Sequence, residues 1–344
     1  MLRKRDFFAK ILKYSGYNHV FLMAQKMMNN NTLRILSYHR VLDIQKDKFF
    51  LDERLIDADS YNFERQMNFI KDNFSVISFA GLRQMLNRDG EKIKNPLIIT
   101  FDDGYKDIFE VIYPILRKLN LPATVFLTTG YIGKDELPWW DKISYIIKKT
   151  QKEQIKVKCL GDQIYNLKNL QAKKLLIQDF TKAAKGMSDV ELKKAVKETE
   201  EELRVVIDKN LEKDLFVTWQ EITEMLQNSR IEFGAHTVNH KILTKTADYS
   251  ELHYEMSMSK DMIEEKINKK INVFSYPNGD ERSFNKEIKN MLRDIGYDFA
   301  VTNMGDLNKI SNLDIFALNR IHISMHDNLP SFKSRVIFPQ FIGK

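Results

Sequence analysis

Hydrophobic residues along this chain follow two different spacings. Short apolar runs, of the kind that form buried strands, lie at 33–38, 97–101, 123–129, 231–236, 273–277 and 298–302. Longer segments whose apolar residues recur at helical spacing lie at 60–74, 105–120, 250–267 and 285–296. Ser60 is a candidate N-cap for the first of these helices. Strands that alternate with covering helices predict a parallel sheet, either open or closed into a barrel.

The alternation is interrupted between residues 134 and 228. This segment is rich in Lys, Glu, Gln and Leu, and its pattern predicts helices. We therefore predict a helical insertion between two core strands rather than a separate terminal domain. The predicted organisation has an N-terminal amphipathic helical segment (1–32), the first part of the core (33–133), the insertion (134–228) and the second part of the core (229–344).

Composition narrows the class of protein. Of 344 residues, 43% are hydrophobic and 11% aromatic, which is enough to fill a core and excludes a disordered chain. The formal net charge of +7 is a mild excess that suits an anionic partner such as a membrane surface or a phosphorylated lipid. No nucleic-acid-binding motif accompanies it, and we expect no nucleic-acid partner. Because Cys159 is the only cysteine, a disulfide framework and a thiolate zinc cluster are excluded.

The first 30 residues open with the basic residues of a signal peptide, but lysines break the apolar run and no small-residue cleavage site follows cleanly. No stretch of the chain approaches the ~18 uninterrupted apolar residues of a spanning helix. We therefore expect a cytoplasmic protein. One helical face of this segment is apolar and is surrounded by basic residues, so contact with the inner membrane face is a hypothesis. The alternative is a helix packed on the body of the protein.

Two adjacent carboxylates follow a predicted buried strand in LIITFDDGYKD (97–107). Asp102 and Asp103 would be costly near a core unless a cation lay opposite them. Inside a strand their side chains would diverge, since strand side chains alternate in direction. Just past the strand end the backbone can turn and direct both into one pocket.

Two histidines follow another predicted strand in GAHTVNH (234–240). His236 and His240 are four residues apart, so they share a face in a helical turn or converge in a tight loop. In parallel α/β folds the carboxyl ends of the strands line the site. Two imidazoles and one carboxylate, with open coordination positions, are typical of a catalytic divalent metal. One aspartate can then bind the metal while the other remains free as a base.

Two further stretches offer polar side chains. In FSYPNGD (274–280), Pro277 and Gly279 indicate a shaped loop after a strand. The later stretch ALNRIHISMHDN (317–328) holds Arg320, His322 and His326.

These stretches together resemble the polysaccharide deacetylase family, also called NodB-homology proteins. The resemblance rests on TFDDGY, HTVNH, the Tyr-Pro-Asn-Gly loop and a late histidine in the same order, and LSYHRV (36–41) is similar to the opening strand of one branch. It covers about 33–133 and 229–330. It implies an α/β fold, a distorted (β/α) barrel. It also implies an enzyme that hydrolyses N-acetyl groups on amino sugars and uses a divalent metal, often zinc.

The resemblance also implies roles for individual residues. Asp102 matches the catalytic base, and Asp103, His236 and His240 match the metal ligands. Asn278 falls where the family uses a backbone N–H as an oxyanion donor.

One position departs from the family pattern. Ser275 stands where the third motif normally has the arginine that orients the base, and Arg320 is a candidate substitute from another loop. For the general acid, His322 is favoured over His326 because Ile321 and Ile323 place it in a regular strand. Other candidate pocket residues are His39, Tyr105 and Tyr276.

The expected function is that of a metal-dependent hydrolase that removes the N-acetyl group from an amino sugar in a polysaccharide or a lipid-linked glycan precursor. Two alternatives stay open: a deformylase or other hydrolase of C–N amide bonds on the same fold, and an inactive carbohydrate-binding protein, which the altered third motif favours. Trp139 and Trp140 could stack on a sugar ring or anchor the insertion.

Overall fold

The computed structural model describes residues 31–339 except 45–48, 88–92, 162, 229 and 247. The strands, numbered in chain order, are β1 Thr32–Tyr38, β2 Arg40–Val41, β3 Ile56–Ala58, β4 Ser75–Val76, β5 Pro96–Phe101, β6 Ala123–Leu127, β7 Gln154–Lys156, β8 Ile164–Asn166, β9 Ile231–Ala235, β10 Val273–Ser275, β11 Phe299–Val301, β12 Asn308–Lys309 and β13 Ile321–His322.

The α-helices, numbered in the same way, are α1 Ser60–Asn73, α2 Phe79–Leu86, α3 Tyr113–Leu119, α4 Trp139–Lys149, α5 Leu170–Ala184, α6 Asp189–Leu203, α7 Lys209–Glu212, α8 Trp219–Asn228, α9 Tyr249–Ile267, α10 Lys286–Ile295 and α11 Leu329–Ile337. A π-helical turn, Ile108–Ile112, precedes α3. Short 3-10 turns lie at Glu53–Leu55, Lys158–Leu160, Leu243–Lys245 and Ile310–Asn312.

A curled, mostly parallel sheet forms the centre of the molecule. Its strands lie in the order β11-β10-β9-β6-β5-β1-β12, with β13 beside β1 and β4 beside β5. The segment 318–323 connects the two sides of this sheet: Leu318 N–H donates to the Ala300 carbonyl of β11, and Ile323 N–H donates to the Ser37 carbonyl of β1. The sheet therefore closes into the distorted (β/α) barrel that the family resemblance implied.

Burial explains why the core strands form where the apolar runs lie. All six residues of β5 and all five of β6 are buried, as expected for parallel strands covered on both faces. Two helix starts differ from the prediction. The cap of α1 is Asp59, whose carboxylate accepts a hydrogen bond from Asn62 N–H at 2.7 Å, and Ser60 is the first helical residue. The predicted helix at 105–120 begins only at Ile108, because the aspartate turn continues to that point.

The insertion lies between β6 and β9, which are neighbouring parallel strands. Helix α4 packs against α5 and α6, whereas α8 contacts β9 and α9. A two-stranded antiparallel hairpin, β7 with β8, also lies in this segment, which had been predicted as helical throughout. Each of its strands has only three residues and one buried side chain, so the apolar pattern is too short to indicate a strand.

The predicted N-terminal amphipathic helix falls on residues 1–30, outside the described part of the chain. Within the described residues, no helix combines the length and apolar character that a membrane crossing requires.

Candidate active site

The polar side chains singled out from the sequence meet at the carboxyl ends of β5, β9 and β10 and along the closing segment 318–323. The chain turns sharply at the ends of β5 and β9: Asp103 has φ 72°, Thr237 has φ 63° and His240 has φ 56°. These left-handed residues are uncommon outside glycine and mark backbone held by its surroundings. Residues 236–240 therefore form a tight loop rather than a helical turn.

Asp103, His236 and His240 form one cluster. The Nε2 atoms of His236 and His240 lie 3.6 Å and 3.5 Å from Asp103 Oδ1. Asp103 Oδ1 is buried and has no hydrogen-bond partner among the described residues. The ligand atoms of the three residues all lie within 4.8 Å of one another. A buried carboxylate oxygen without a partner, facing two imidazole nitrogens, fits a divalent cation at their centre.

The surroundings hold the two imidazoles ready to bind a metal. His236 Nδ1 lies 2.7 Å from the Ser275 carbonyl oxygen, so a proton on that nitrogen leaves Nε2 free to face Asp103. Burial lowers the pKa of His240 well below its usual value, and the neighbouring His236 lowers it further. Neutral imidazole is the form that binds a cation.

Asp102 is held by the closing segment of the barrel. Arg320 Nη1 and Nη2 donate to its two carboxylate oxygens at 2.7 Å and 2.6 Å, and Ser275 Oγ lies 3.0 Å from the same guanidinium. Both charged side chains are almost fully buried. Burial alone would raise the pKa of Asp102, but the charge of Arg320 and its hydrogen bonds bring that pKa well below the usual range. Arg320 thus contacts the aspartate that the absent third-motif arginine would have contacted.

Glu255, on α9, supports the histidine loop from behind. This fully buried carboxylate accepts hydrogen bonds from Val238 N–H at 2.9 Å, Asn239 N–H at 2.8 Å and Asn239 Nδ2 at 2.7 Å. On the other side, Gly130 N–H donates to the Val238 carbonyl at 2.7 Å, and a Cβ on Gly130 would lie 2.4 Å from that oxygen. The loop is therefore held between β6 and α9.

We predict that Glu255→Gln weakens metal binding about tenfold or more, because residues behind metal ligands commonly contribute this much to affinity. The amide of Gln has one acceptor oxygen, so it cannot accept both from the backbone N–H groups of Val238 and Asn239 and from Asn239 Nδ2. The dissociation constant for zinc, measured with a competing chromophoric chelator, checks this prediction. Glu265→Gln, an exposed change on the same helix, is the control. Equal zinc affinities of the two variants would contradict it.

A second cluster lies beside the first. His39 N–H donates to Asp57 Oδ2 at 2.5 Å, and His39 Nδ1 lies 3.3 Å from the same oxygen. His322 Nε2 is 3.7 Å from the other oxygen of Asp57. Burial would lower the pKa of His39, but its hydrogen bond to Asp57 and the charges of nearby aspartates raise that pKa to about 9. Burial instead lowers the pKa of His322.

A cavity of about 390 Å³ opens over both clusters. Most of the predicted site residues line it: His39, Asp102, Asp103, His236, His240, Tyr276, Asn278, Arg320 and His322. Trp139 and Trp140, from the start of the insertion, line it too, and the Trp140 ring lies 4.7 Å from that of His240. The insertion thus forms part of the cavity wall. The backbone oxyanion role of Asn278 stays a prediction.

Two candidate pocket residues do not line the cavity. Strand β13 ends at His322, and His326 is exposed in the loop that follows. Tyr105 is fully buried: the turn at Asp103 directs it inward, where its ring stacks on Phe216 at 4.8 Å. Both were candidates for the pocket, but neither is among the residues that line the cavity.

Tyr105 instead connects the aspartate turn to the insertion. Its hydroxyl donates to Asp141 Oδ2 at 2.8 Å and accepts a hydrogen bond from Trp140 Nε1 at 2.7 Å. The other oxygen of Asp141 accepts from Asp52 N–H at 2.8 Å. This buried network holds Trp140 against the cavity.

Burial raises the pKa of Asp141 to about 6, against the opposing charge of Arg40. The ordinary aspartate pKa is about 3.9, so the folded protein retains the Asp141 proton more strongly than the unfolded chain. This contribution to the free energy of unfolding is full below about pH 4. It falls by roughly 3 kcal/mol as the pH rises to about 6, and is constant above that.

We therefore predict that Asp141→Asn flattens the change of stability with pH between about 4 and 6. Urea unfolding of the wild type and the variant across pH 4–7 measures the difference. Asp135→Asn, an exposed change nearby, should keep the wild-type profile. Parallel profiles for Asp141→Asn and the wild type would rule out this titration.

Sequence reasoning missed three acidic residues that hold the site. Asp57 follows a 3-10 turn, Glu255 lies within a charged helix and Asp141 follows a tryptophan pair. The sequence signal for Glu255 was its place on the predicted helix at 250–267, next to the apolar Met256. In the structure that face of α9 is buried. Asp57 and Asp141 gave no local signal.

Comparison with known proteins agrees with this geometry. The family model for polysaccharide deacetylase matches residues 89–212 and 204–300, which together are more than half of the chain. The chain belongs to the polysaccharide deacetylase family. The fold of this family member is similar to that of the Streptococcus pyogenes deacetylase PplD, solved in complex with acetate. The TM-score is 0.59 at 19% identity, over 89% of this chain and 98% of that one.

Several relatives carry the name poly-beta-1,6-N-acetyl-D-glucosamine N-deacetylase. The protein from Staphylococcus aureus (strain MSSA476) is 33% identical over 135 residues, which are 37% of this chain and 45% of that protein. The protein from Escherichia coli (strain K12) is 19% identical over 347 aligned positions, which cover 93% of this chain and 40% of that protein. The alignments thus span less than half of either relative's own length.

Proposed function

We propose that this chain is a metal-dependent N-deacetylase that acts on an amino sugar in a polysaccharide or a lipid-linked glycan precursor. The observation that carries the proposal is the juxtaposition of a cation-binding cluster (Asp103, His236, His240) with a separate buried aspartate, Asp102, on the wall of one cavity. The names of the relatives support the reaction and the class of substrate.

Zinc is the proposed ion, because two histidines and one carboxylate with open positions are typical of catalytic zinc. A divalent cation held by Asp103, His236 and His240 would supply Lewis-acid polarisation of the amide carbonyl. The backbone N–H of Asn278 is the proposed second donor to the oxygen that becomes negative.

Asp102 is the proposed general base. Its pKa is well below the usual range, so it is ionised at neutral pH, and Arg320 fixes the orientation of both of its oxygens. It accepts the proton of the attacking water as the new C–O bond forms at the acetyl carbon. Ser275 leaves the position beside this pair small enough for the guanidinium to reach from the closing segment.

His39 is the proposed general acid, in place of the His322 favoured by sequence. Asp57 holds His39 through two contacts and raises its pKa to about 9, so this imidazole carries a proton at neutral pH. His322, with its lowered pKa, is neutral there. As the C–N bond breaks, His39 donates its proton to the departing nitrogen, and the products are acetate and the free amine.

The test is acetate release from oligomers of N-acetylglucosamine and from polyprenyl-linked N-acetylhexosamines. Chelated protein should release none, and zinc should restore acetate in equal amount with new amine. N-formyl versions of the same sugars form a second arm, because faster formate release would favour the deformylase alternative. Full zinc occupancy without release of either acid would contradict the proposal and favour a carbohydrate-binding protein.

We also propose peripheral contact with the inner membrane face through residues 1–30, from the basic and apolar pattern of that segment. Flotation with liposomes containing anionic lipid tests it. The full chain should float, and a variant lacking residues 1–30 should remain at the bottom. Equal behaviour of the two proteins would count against this contact.

A further inference from the structure

The cavity has basic side chains in excess of the acidic groups that pair with them. Three of its basic residues already have acidic partners: Arg320 pairs with Asp102 at 2.6 Å, Arg54 with Asp52 at 2.5 Å and Lys241 with Asp189 at 3.0 Å. These pairs account for three of the four aspartates that line the cavity. The fourth, Asp103, belongs to the proposed cation cluster.

Two lysines of the cavity remain without such a partner. Among the described residues, neither Lys185 nor Lys245 has a carboxylate within ion-pair distance, although both line the cavity. Lys185 is the C-cap of α5, in the insertion, and Lys245 ends a 3-10 turn after the histidine loop. The Lys241–Asp189 ion pair joins these two regions, and Lys185 and Lys245 each lie four residues from one of its members.

A divalent cation in the cluster would increase the positive potential further. Two unpaired ammonium groups on the wall of a concave site attract anions and are best matched by a group with two negative charges.

We propose that Lys185 and Lys245 form an anion subsite, and that the sugar deacetylated by this chain carries a phosphate ester close to its N-acetyl group. The inference rests on the proposed function, since it assigns the substrate class of the same cavity. A soluble sugar phosphate and a lipid-linked sugar diphosphate share this chemistry.

The double variant Lys185→Gln/Lys245→Gln tests the subsite. Its substrates are a neutral N-acetylglucosamine oligomer and the same oligomer carrying a phosphate monoester or a carboxylate. For the wild type we expect a KM about tenfold or more lower for the phosphorylated oligomer, a difference that shrinks as salt screens it. The double variant should lose this preference with kcat unchanged. Lys182→Gln, one turn earlier in α5 and not lining the cavity, should behave as the wild type.

Equal wild-type KM values for the neutral and phosphorylated oligomers would overturn the proposal, as would a preference that survives in the double variant. An equal preference for the carboxylate would overturn the assignment to phosphate. A further measurement uses polyprenyl diphosphate-linked sugar in vesicles. A lower KM for this substrate than for the soluble sugar phosphate would identify the lipid-linked sugar as the source of the phosphate group.

A binding measurement separates this proposal from the proposed function. Calorimetric titration of metal-free protein with the phosphorylated oligomer measures its binding, whether or not acetate is ever released. Binding about tenfold tighter to the wild type than to the double variant supports the subsite, and equal binding overturns it.

Discussion

Asp102→Asn should lower kcat for deacetylation by about 10²- to 10⁴-fold, the usual contribution of a general base, while one equivalent of metal remains bound. The amide keeps the shape of the carboxylate and can still accept from Arg320, but it cannot take a proton from water. His236→Ala should lose both metal and activity, because the substitution removes one of the three proposed metal ligands. Metal content and initial rates of acetate release measure the two effects.

The Asn variant leaves the buried Arg320 charge uncompensated, so rates should be compared well below the midpoint of its thermal unfolding. Asp306→Asn, an exposed change at a residue that does not line the cavity, is the control and should keep the wild-type rate. Wild-type turnover by Asp102→Asn would remove Asp102 from the mechanism.

Arg320→Met should lower the free energy of unfolding by about 3–5 kcal/mol, because it leaves the buried carboxylate of Asp102 without its counter-charge. Arg320 is 1% exposed and also donates to the Thr302 carbonyl at 2.8 Å, so its removal breaks contacts at the point where the barrel closes. Arg282→Met, which removes an exposed ion pair with Asp280, should cost at most about 1 kcal/mol.

The double variant Arg320→Met/Asp102→Asn separates charge from packing. If the uncompensated carboxylate causes most of the loss, neutralising Asp102 should recover a large part of it. The pH dependence has a defined sign: Asp102 has a depressed pKa in the folded state, so its contribution is present above about pH 4 and disappears as the pH falls through the folded pKa. A loss of 1 kcal/mol or less in Arg320→Met at neutral pH would contradict the importance of this pair.

The sequence predicted those parts of the site that lie directly after core strands. Asp102 and Asp103 follow β5, and His236 and His240 follow β9, and parallel strands bring their carboxyl ends to one edge. The convergence of these four side chains on one cavity was therefore within reach of pattern and spacing alone. The continuous apolar runs predicted the parallel sheet, whereas its closure into a distorted barrel was implied by the resemblance to the family.

The residues that hold the site depend on contacts that are distant in sequence. Arg320 reaches Asp102 across 218 positions, because the closing segment pairs with both ends of the sheet. The orientation of Tyr105 depends on the left-handed turn at Asp103, which no local pattern signals for an aspartate. Neither feature could be read from apolar periodicity.

The choice of general acid shows the same limit. His39 directly follows β1, and His322 lies in β13, which pairs with β1. Their ring centroids are therefore only 5.5 Å apart. The hydrogen bond and charge of Asp57 are the largest causes that raise the pKa of His39, and Asp57 lies in β3 outside the main sheet. Choosing between the two histidines therefore needed the tertiary structure.

The central claim is that Asp103, His236 and His240 bind one divalent ion. Metal content after zinc reconstitution and dialysis, determined by inductively coupled plasma mass spectrometry, tests it most directly in the wild type and in Asp103→Ala. We expect one zinc per wild-type chain and less than about a tenth of that in the folded variant, since loss of one of three protein ligands removes tight binding. One full equivalent in both proteins, or none in either, would contradict it.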